Sequence, residues 1–310
     1  MSANGVQRPA PTARALCLGE ALVDLICERP VDSLARADAF VPHFGGATAN
    51  VAVAAARAGA RIALAGGAGD DVWGRWLRSR LEHERVDTSC FALIPGLRTP
   101  IALVTVAAGG EPSYEIYGEA IATVVRALGE RVHEAVNDAA ALFFGSNTLV
   151  GAEERAVTMQ ARAVALELGR PVIFDPNFRL HRWSSRADAS ASANACVPGA
   201  LLVRANRAEA ELMTGEADPE RAARALLKAG ARIAVVTLGA DGAILRGERR
   251  ADVPGLQVKV KSTIGAGDVL TGILLAKLAL SGFYPSSVAA ALREAVVAAG
   301  RACERWGALD

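Results

Sequence analysis

AALFFGSNTLVGAEERAVTMQARAVALELGRPVIFDPN, residues 140–177, decides the fold. Its two ends, AALFFGS (140–146) and PVIFDPN (171–177), are short apolar runs closed by turn residues, a pattern that predicts buried strands. Between them, residues 152–168 are alanine-rich with amphipathic spacing, which predicts a helix. Moving outward, ALCLGEALVDLI (15–26), ARIALAGG (60–67), GALLVRAN (199–206) and RIAVVTLG (232–239) read as further strands, and 218–228 as a further helix. Alternation of this kind argues for an α/β protein, a mainly parallel sheet with helices on both faces.

Two regions break the alternation, at about 25–44 and about 91–118. There, β-prone segments such as TPIALVTVAA (99–108) and PSYEIYG (112–118) follow each other with turn residues and no helix between them. They predict a small β lid inserted into one domain spanning 15–310, preceded by a flexible tail at 1–14. With 310 residues, 52% of them hydrophobic, 22% charged and a net charge of +1, the chain has core enough for one large domain. It has no basic field to recruit nucleic acid or an acidic membrane, so a small-molecule partner is expected. No apolar run approaches the length of a membrane span, and MSANGVQRPAPTAR (1–14) lacks the apolar centre of a secretory signal. Cys17, Cys27, Cys90, Cys196 and Cys303 stand singly, without metal-ligand spacing. Read as small hydrophobes, they fit a reducing, cytoplasmic setting.

Four short motifs carry chemistry. In KSTIGAGDVLTGILLA (261–276), Gly265, Ala266 and Gly267 leave the backbone bare before an apolar helical pattern, and Asp268 stands in the first turn. The N–H groups of a helix start form an anion cradle, although a carboxylate there also serves as a plain cap. A dinucleotide fingerprint fits poorly because its third glycine is missing, and no Gly-Lys-Ser/Thr phosphate loop exists. In FGGATANVAVAAARAG (44–59), Gly45 and Gly46 permit close backbone approach, and the Asn50 amide can donate to and accept from a polyol hydroxyl. The alternative there is a glycine turn with a polar helix start. DPNFRLHRW (175–183) puts Asp175, Asn177 and Arg179 just past a strand, where open α/β sheets bind ligands; Arg179 could equally form a surface ion pair. In NRAEAELMTG (206–215), Asn206 and Glu209 suit either the water shell of Mg²⁺ or a capping box.

Taken in order, GEALVD (19–24), GGATAN (45–50), GDDVWG (69–74), DPNFR (175–179), NRAE (206–209), TLGADG (237–242) and GAGD (265–268) resemble the ribokinase-like (PfkB) carbohydrate kinases over nearly the whole chain. The resemblance implies a doubly wound α/β body with a β lid, and an ATP-dependent, Mg²⁺-requiring sugar kinase. It implies that Asp268 is the base, with Gly265, Ala266 and Gly267 forming the anion hole. Asp24, Gly45, Gly46, Asn50 and Arg179 would hold the sugar, Asn206, Thr237, Gly239 and Gly242 the nucleotide, and Glu209 the metal. Asp268 is expected to be ionised at neutral pH, since an ordinary aspartate titrates near about 4.

Within the family, Arg179 and Trp183 look like the fructokinase and 2-keto-3-deoxygluconate kinase branches. Ala47, where ribose kinases carry lysine, argues against ribose. Ser262 replaces an acid that in many relatives belongs to a monovalent-cation site. The implied acceptor is a primary hydroxyl of a ketose or keto-sugar acid. A nucleoside kinase, or a binding protein without turnover, is the alternative. The lid's exposed edge predicts a homodimer paired lid to lid.

Overall fold

Neighbouring residues along the first strand face opposite ways, and the chain buries both sets. Ala15 and Cys17 join one core, Leu16 and Leu18 the other. The computed structural model describes residues 14–118 and 120–309, so all but the last residue of the expected tail falls outside the described residues. The strands are β1 (Ala15–Leu18), β2 (Leu22–Pro30), β3 (Val41–Gly45), β4 (Ile62–Gly69), β5 (Phe91–Ile94), β6 (Ile101–Val106) and β7 (Pro112–Tyr117). They continue with β8 (Ala141–Gly145), β9 (Val172–Asp175), β10 (Leu202–Asn206), β11 (Ile233–Thr237), β12 (Ala243–Gly247) and β13 (Ala251–Val253). The helices are α1 (Ala47–Arg57), α2 (Val72–His83), α3 (Ala120–Leu128), α4 (Glu130–Asn137) and α5 (Ala152–Glu167). They are followed by α6 (Arg186–Asn194), α7 (Arg207–Thr214), α8 (Pro219–Lys228), α9 (Ala266–Leu280) and α10 (Ser286–Ala302).

Nine strands form one sheet in the order β13-β12-β11-β10-β9-β8-β1-β4-β5. From β5 to β11 every pairing is parallel, and β12 and β13 add an antiparallel edge. Winding outward in both directions from β1 places α1, α9 and α10 on one face and α5 to α8 on the other. The α/β class expected from the alternation is the class observed. Among the described residues no helix is long and apolar enough to cross a membrane.

The smaller sheet runs β3-β2-β6-β7, with β2 and β6 parallel and its two outer pairings antiparallel. Two expectations need correction. Residues 91–94, read with the lid, instead pair with β4 at the edge of the large sheet. The run at 15–26, read as one strand, is two: β1 lies in the large sheet and β2 in the small one. An apolar run specifies burial but not the neighbour that provides it. The break leaves Glu20 at the junction of the sheets, 4% exposed.

Candidate active site

The start of α9 shows why GAGD has that composition. Gly265 adopts φ +70°, the left-handed region open to glycine, and offers no side-chain cap. Asp268, 4% exposed, does not act as the cap. Its carboxylate is held from two distant segments: the Asn50 amide donates to Oδ2 at 2.9 Å and the Asn177 amide to Oδ1 at 2.7 Å. Asn177 reaches this position from φ +40°, a conformation that asparagine tolerates better than most residues. Burial pushes Asp268 up to about 6, against the opposing pull of the Asn50 hydrogen bond and the Arg179 charge. The carboxylate is therefore mostly ionised at pH 7, but less securely than an ordinary aspartate.

An inner pocket lies between α9, α1 and the small sheet. Asp24, Gly46, Asn50, Arg179, Gly265 and Asp268 line it, together with Ala47, Glu20, Asn147 and Tyr114. Gly46, at φ +96°, lets the chain pass the Glu20 carbonyl, where a Cβ would stand 2.7 Å from that oxygen. Gly45 packs behind Asp24, leaving no room for a side chain against that carboxylate. Burial pushes Asp24 up to about 7, with Arg179 opposing. Glu20 accepts from Asn147 at 2.9 Å and from Thr48 at 3.2 Å, and Arg182 donates to Asn147 Oδ1 at 2.9 Å. Among the described residues Asn50 Oδ1 is buried without a partner, an acceptor left open beside Asp268. Among the described residues Arg179 forms no surface ion pair. Its guanidinium lies 4.8 Å from the Tyr114 ring centroid and donates to Asn177 Oδ1 at 2.6 Å.

An outer groove of about 740 Å³ opens along the carboxyl ends of β9, β10 and β11. Asn206, Glu209, Thr237, Gly239, Gly242, Ala266 and Gly267 line it. The Asn206–Glu209 capping box exists: Asn206 Oδ1 accepts from Glu209 N at 2.9 Å, and Glu209 Oε2 accepts from Asn206 N at 2.7 Å. Glu209 Oε1 also accepts from Phe178 N at 3.1 Å, tying this helix start to the DPNF loop. Among the described residues no three or more His, Cys, Asp or Glu side chains are placed to hold a metal. Asn206 and Glu209, which line the groove, would suit an ion that arrives with phosphate groups and keeps most of its waters. Ser262 is fully buried and accepts from Ile264 N at 3.0 Å.

Tyr114, Arg179, Gly265 and Asp268 line both cavities, so Asp268 stands where they meet. The site residues expected from the sequence thus gather around one place, except Gly45, which packs behind Asp24 and lines neither cavity, and Asp175, which lies beneath them and pairs with Arg204 at 3.2 Å. Sequence reading missed Glu20, Tyr114, Asn147 and Arg204. Asn147 had the same signal as Asp175, a polar group just past a predicted strand. Tyr114 had none, because its role depends on where the small sheet folds.

A doubly wound sheet roofed at one end by a small second sheet is the ribokinase-like architecture. The chain belongs to the pfkB family of carbohydrate kinases, whose family model matches residues 12–310. It is 34% identical over 262 residues to fructokinase-1 of Oryza sativa subsp. japonica, covering 84% of this chain and 81% of that one. Among solved structures, the PfkB protein from Polaromonas sp. JS666 superposes with a TM-score of 0.81 at 27% identity, covering 94% of this chain and 96% of that one. Fructokinase from Vibrio cholerae O395, with fructose, ADP and calcium ion bound, also gives 0.81, at 28% identity and with 97% and 96% covered.

Proposed function

We propose that this kinase transfers the γ-phosphate of ATP to a primary hydroxyl of a ketose of the fructose type, held in the inner pocket, with ATP in the outer groove. The observation that carries this reading is the position of Asp268: buried, held by two amides, and shared by both cavities. A sugar alcohol entering the inner pocket meets the open acceptor of Asn50 and the carboxylates of Asp24 and Glu20. Asp268 takes the hydroxyl proton as the new O–P bond forms and the bond to ADP breaks, a role typically worth about 10²–10⁴-fold. The N–H groups of 265–268 and the positive end of α9 stabilise the charge on the moving phosphoryl group. Mg²⁺ would arrive with the triphosphate and neutralise part of its charge, with Glu209 and Asn206 facing its water shell. Tyr114 and Ile116 of the small sheet exclude water, which would otherwise hydrolyse ATP.

A neutral ketose suits the pocket better than an acid sugar, because Glu20, Asp24 and Asp268 are three carboxylates against the one guanidinium of Arg179 in its lining. The test is ADP release across neutral ketoses, keto-sugar acids and nucleosides. Fructose-like substrates should give the highest kcat/KM. A preference for a keto-sugar acid would reassign Arg179 as a carboxylate ligand, a preference for nucleosides would replace the sugar reading, and sugar binding without ADP would leave a binding protein.

A further inference from the structure

We propose that Arg204 is the fixed cation of the phosphoryl-transfer site, a positioning residue whose guanidinium braces Gly267 from below and adds a full charge to the amide dipoles of the anion hole. The inference rests on the kinase reading and assigns a role to a residue outside the recognised motifs.

Arg204 lies in β10 and is only 6% exposed, so its charge must be matched locally. Nη1 donates to the Asp175 carboxylate at 3.2 and 3.4 Å, and Nη2 to Thr237 Oγ1 at 2.8 Å. Asp175 Oδ2 also accepts from Thr271 Oγ1 at 2.7 Å, and Thr271 sits three residues after Asp268 on α9. The network therefore ties the ends of β9, β10 and β11 to the helix that carries the base. Its upper surface is the anion hole itself: a Cβ on Gly267 would stand 2.8 Å from both Nη1 and Nη2. The guanidinium occupies the space a side chain at 267 would need, and it also lines the outer groove.

Stability alone does not account for this arrangement. Apolar residues of similar size often replace a buried ion pair without loss, and here Nε is left buried with no partner among the described residues. The charge balance supplies a reason. Arg204 faces Asp175, Glu209 and Asp268, all of which hold it protonated. Phosphate groups entering the groove would add negative charge to that cluster, and a cation that cannot move away offsets it without reorganisation. The same charge favours the ionised form of Asp268.

Three variants test the assignment: Arg204→Lys, Arg204→Met, and Arg204→Met combined with Asp175→Asn. The lysine variant should keep kcat within about tenfold, since it retains the charge. Arg204→Met should lose about 10²–10³-fold in kcat while the sugar KM moves by less than about threefold. The acid limb of its residual kcat/KM should rise by about one pH unit. Asp268 faces Asn50 from α1, Asp24 from β2, Tyr114 from β7, Asp175 at the end of β9, Asn177 and Arg179 from the following loop, and Arg204 from β10; only the last changes in this variant. Arg204→Met leaves Asp175 buried without its cation and can fail to fold, so the double variant removes both charges. It should melt close to the unsubstituted protein and still lack most of the turnover. Near-normal kcat in the double variant, or an unshifted acid limb with intact turnover in Arg204→Met, would reduce the pair to a structural contact and overturn the proposal. If the unsubstituted protein releases no ADP with any sugar, the kinase reading falls and takes this inference with it. If it does and the variants match it, only this inference falls.

Discussion

Asp268 and Asn50 are 218 residues apart in sequence and 2.9 Å apart in the fold. At this contact, chemistry can be separated from packing. Asp268→Asn keeps the shape and the hydrogen-bonding amides nearby but removes the base. Turnover should fall by about 10²–10⁴-fold with little change in sugar affinity; single-turnover kinetics that stay near normal would remove Asp268 from the role. Its titration gives a second check. The protonated acid cannot accept a proton, so kcat/KM should fall about tenfold per pH unit below a midpoint near 6, the value to which burial pushes the group. A limb near pH 4 would mean that the carboxylate is solvated in the working enzyme. The identity of this residue was legible in the sequence, as an acid at a glycine-led helix start. Its raised pKa was not, because desolvation comes from chain segments with no local signal.

Elements place these residues, and α9 is the central one. It packs on α1 through Gly272, where a Cβ would stand 2.5 Å from the Ala54 Cβ and 2.9 Å from the Val51 carbonyl oxygen. Gly272→Ala should force the helices apart at a cost of about 1–3 kcal/mol, and it should also lower turnover because Asn50 rides on α1. A melting curve and a rate together check this; lost stability with full activity would show that the Asn50–Asp268 contact survives the shift. At α7, Glu209 serves two backbone donors with its two carboxylate oxygens. Glu209→Gln turns one of those contacts into donor against donor. It should loosen the DPNF loop and raise the Mg²⁺ requirement, and an unchanged Mg²⁺ titration would take Glu209 out of the metal's surroundings. The capping-box spacing was readable in the sequence, and the added bond to Phe178 was not, since that residue lies on another strand's loop.

At the scale of the whole molecule, buried acids set stability against function. Asp24 has a folded value of about 7, above the ordinary value near 4, so its ionisation favours the unfolded chain. That penalty is absent below about pH 4 and complete above about pH 7. Asp24→Asn removes it, so the variant's melting advantage over the unsubstituted protein should widen from pH 5 to pH 8 while its sugar affinity falls. A constant difference across that range would mean that Asp24 titrates normally. The small sheet also has two outer strands, β3 and β7, with Val41 and Tyr117 among the exposed large hydrophobic residues. Open strand edges invite pairing, and we propose a homodimer formed through the small sheets. Light scattering at micromolar concentration should report twice the chain mass; a monomer would count against it.

By itself the sequence determined the α/β class, the strands that end in polar residues, and the glycine-led helix start bearing an acid. These are properties of periodicity and of backbones that only certain residues allow, and both are written locally. Tertiary structure alone decided that β1 and β2 part into different sheets, that β5 joins the larger one, and that Arg204 lies beneath Gly267. It also fixed how hard each buried acid is to ionise. Those outcomes depend on which distant surfaces exclude water from one another, and a chain read one segment at a time does not carry that information.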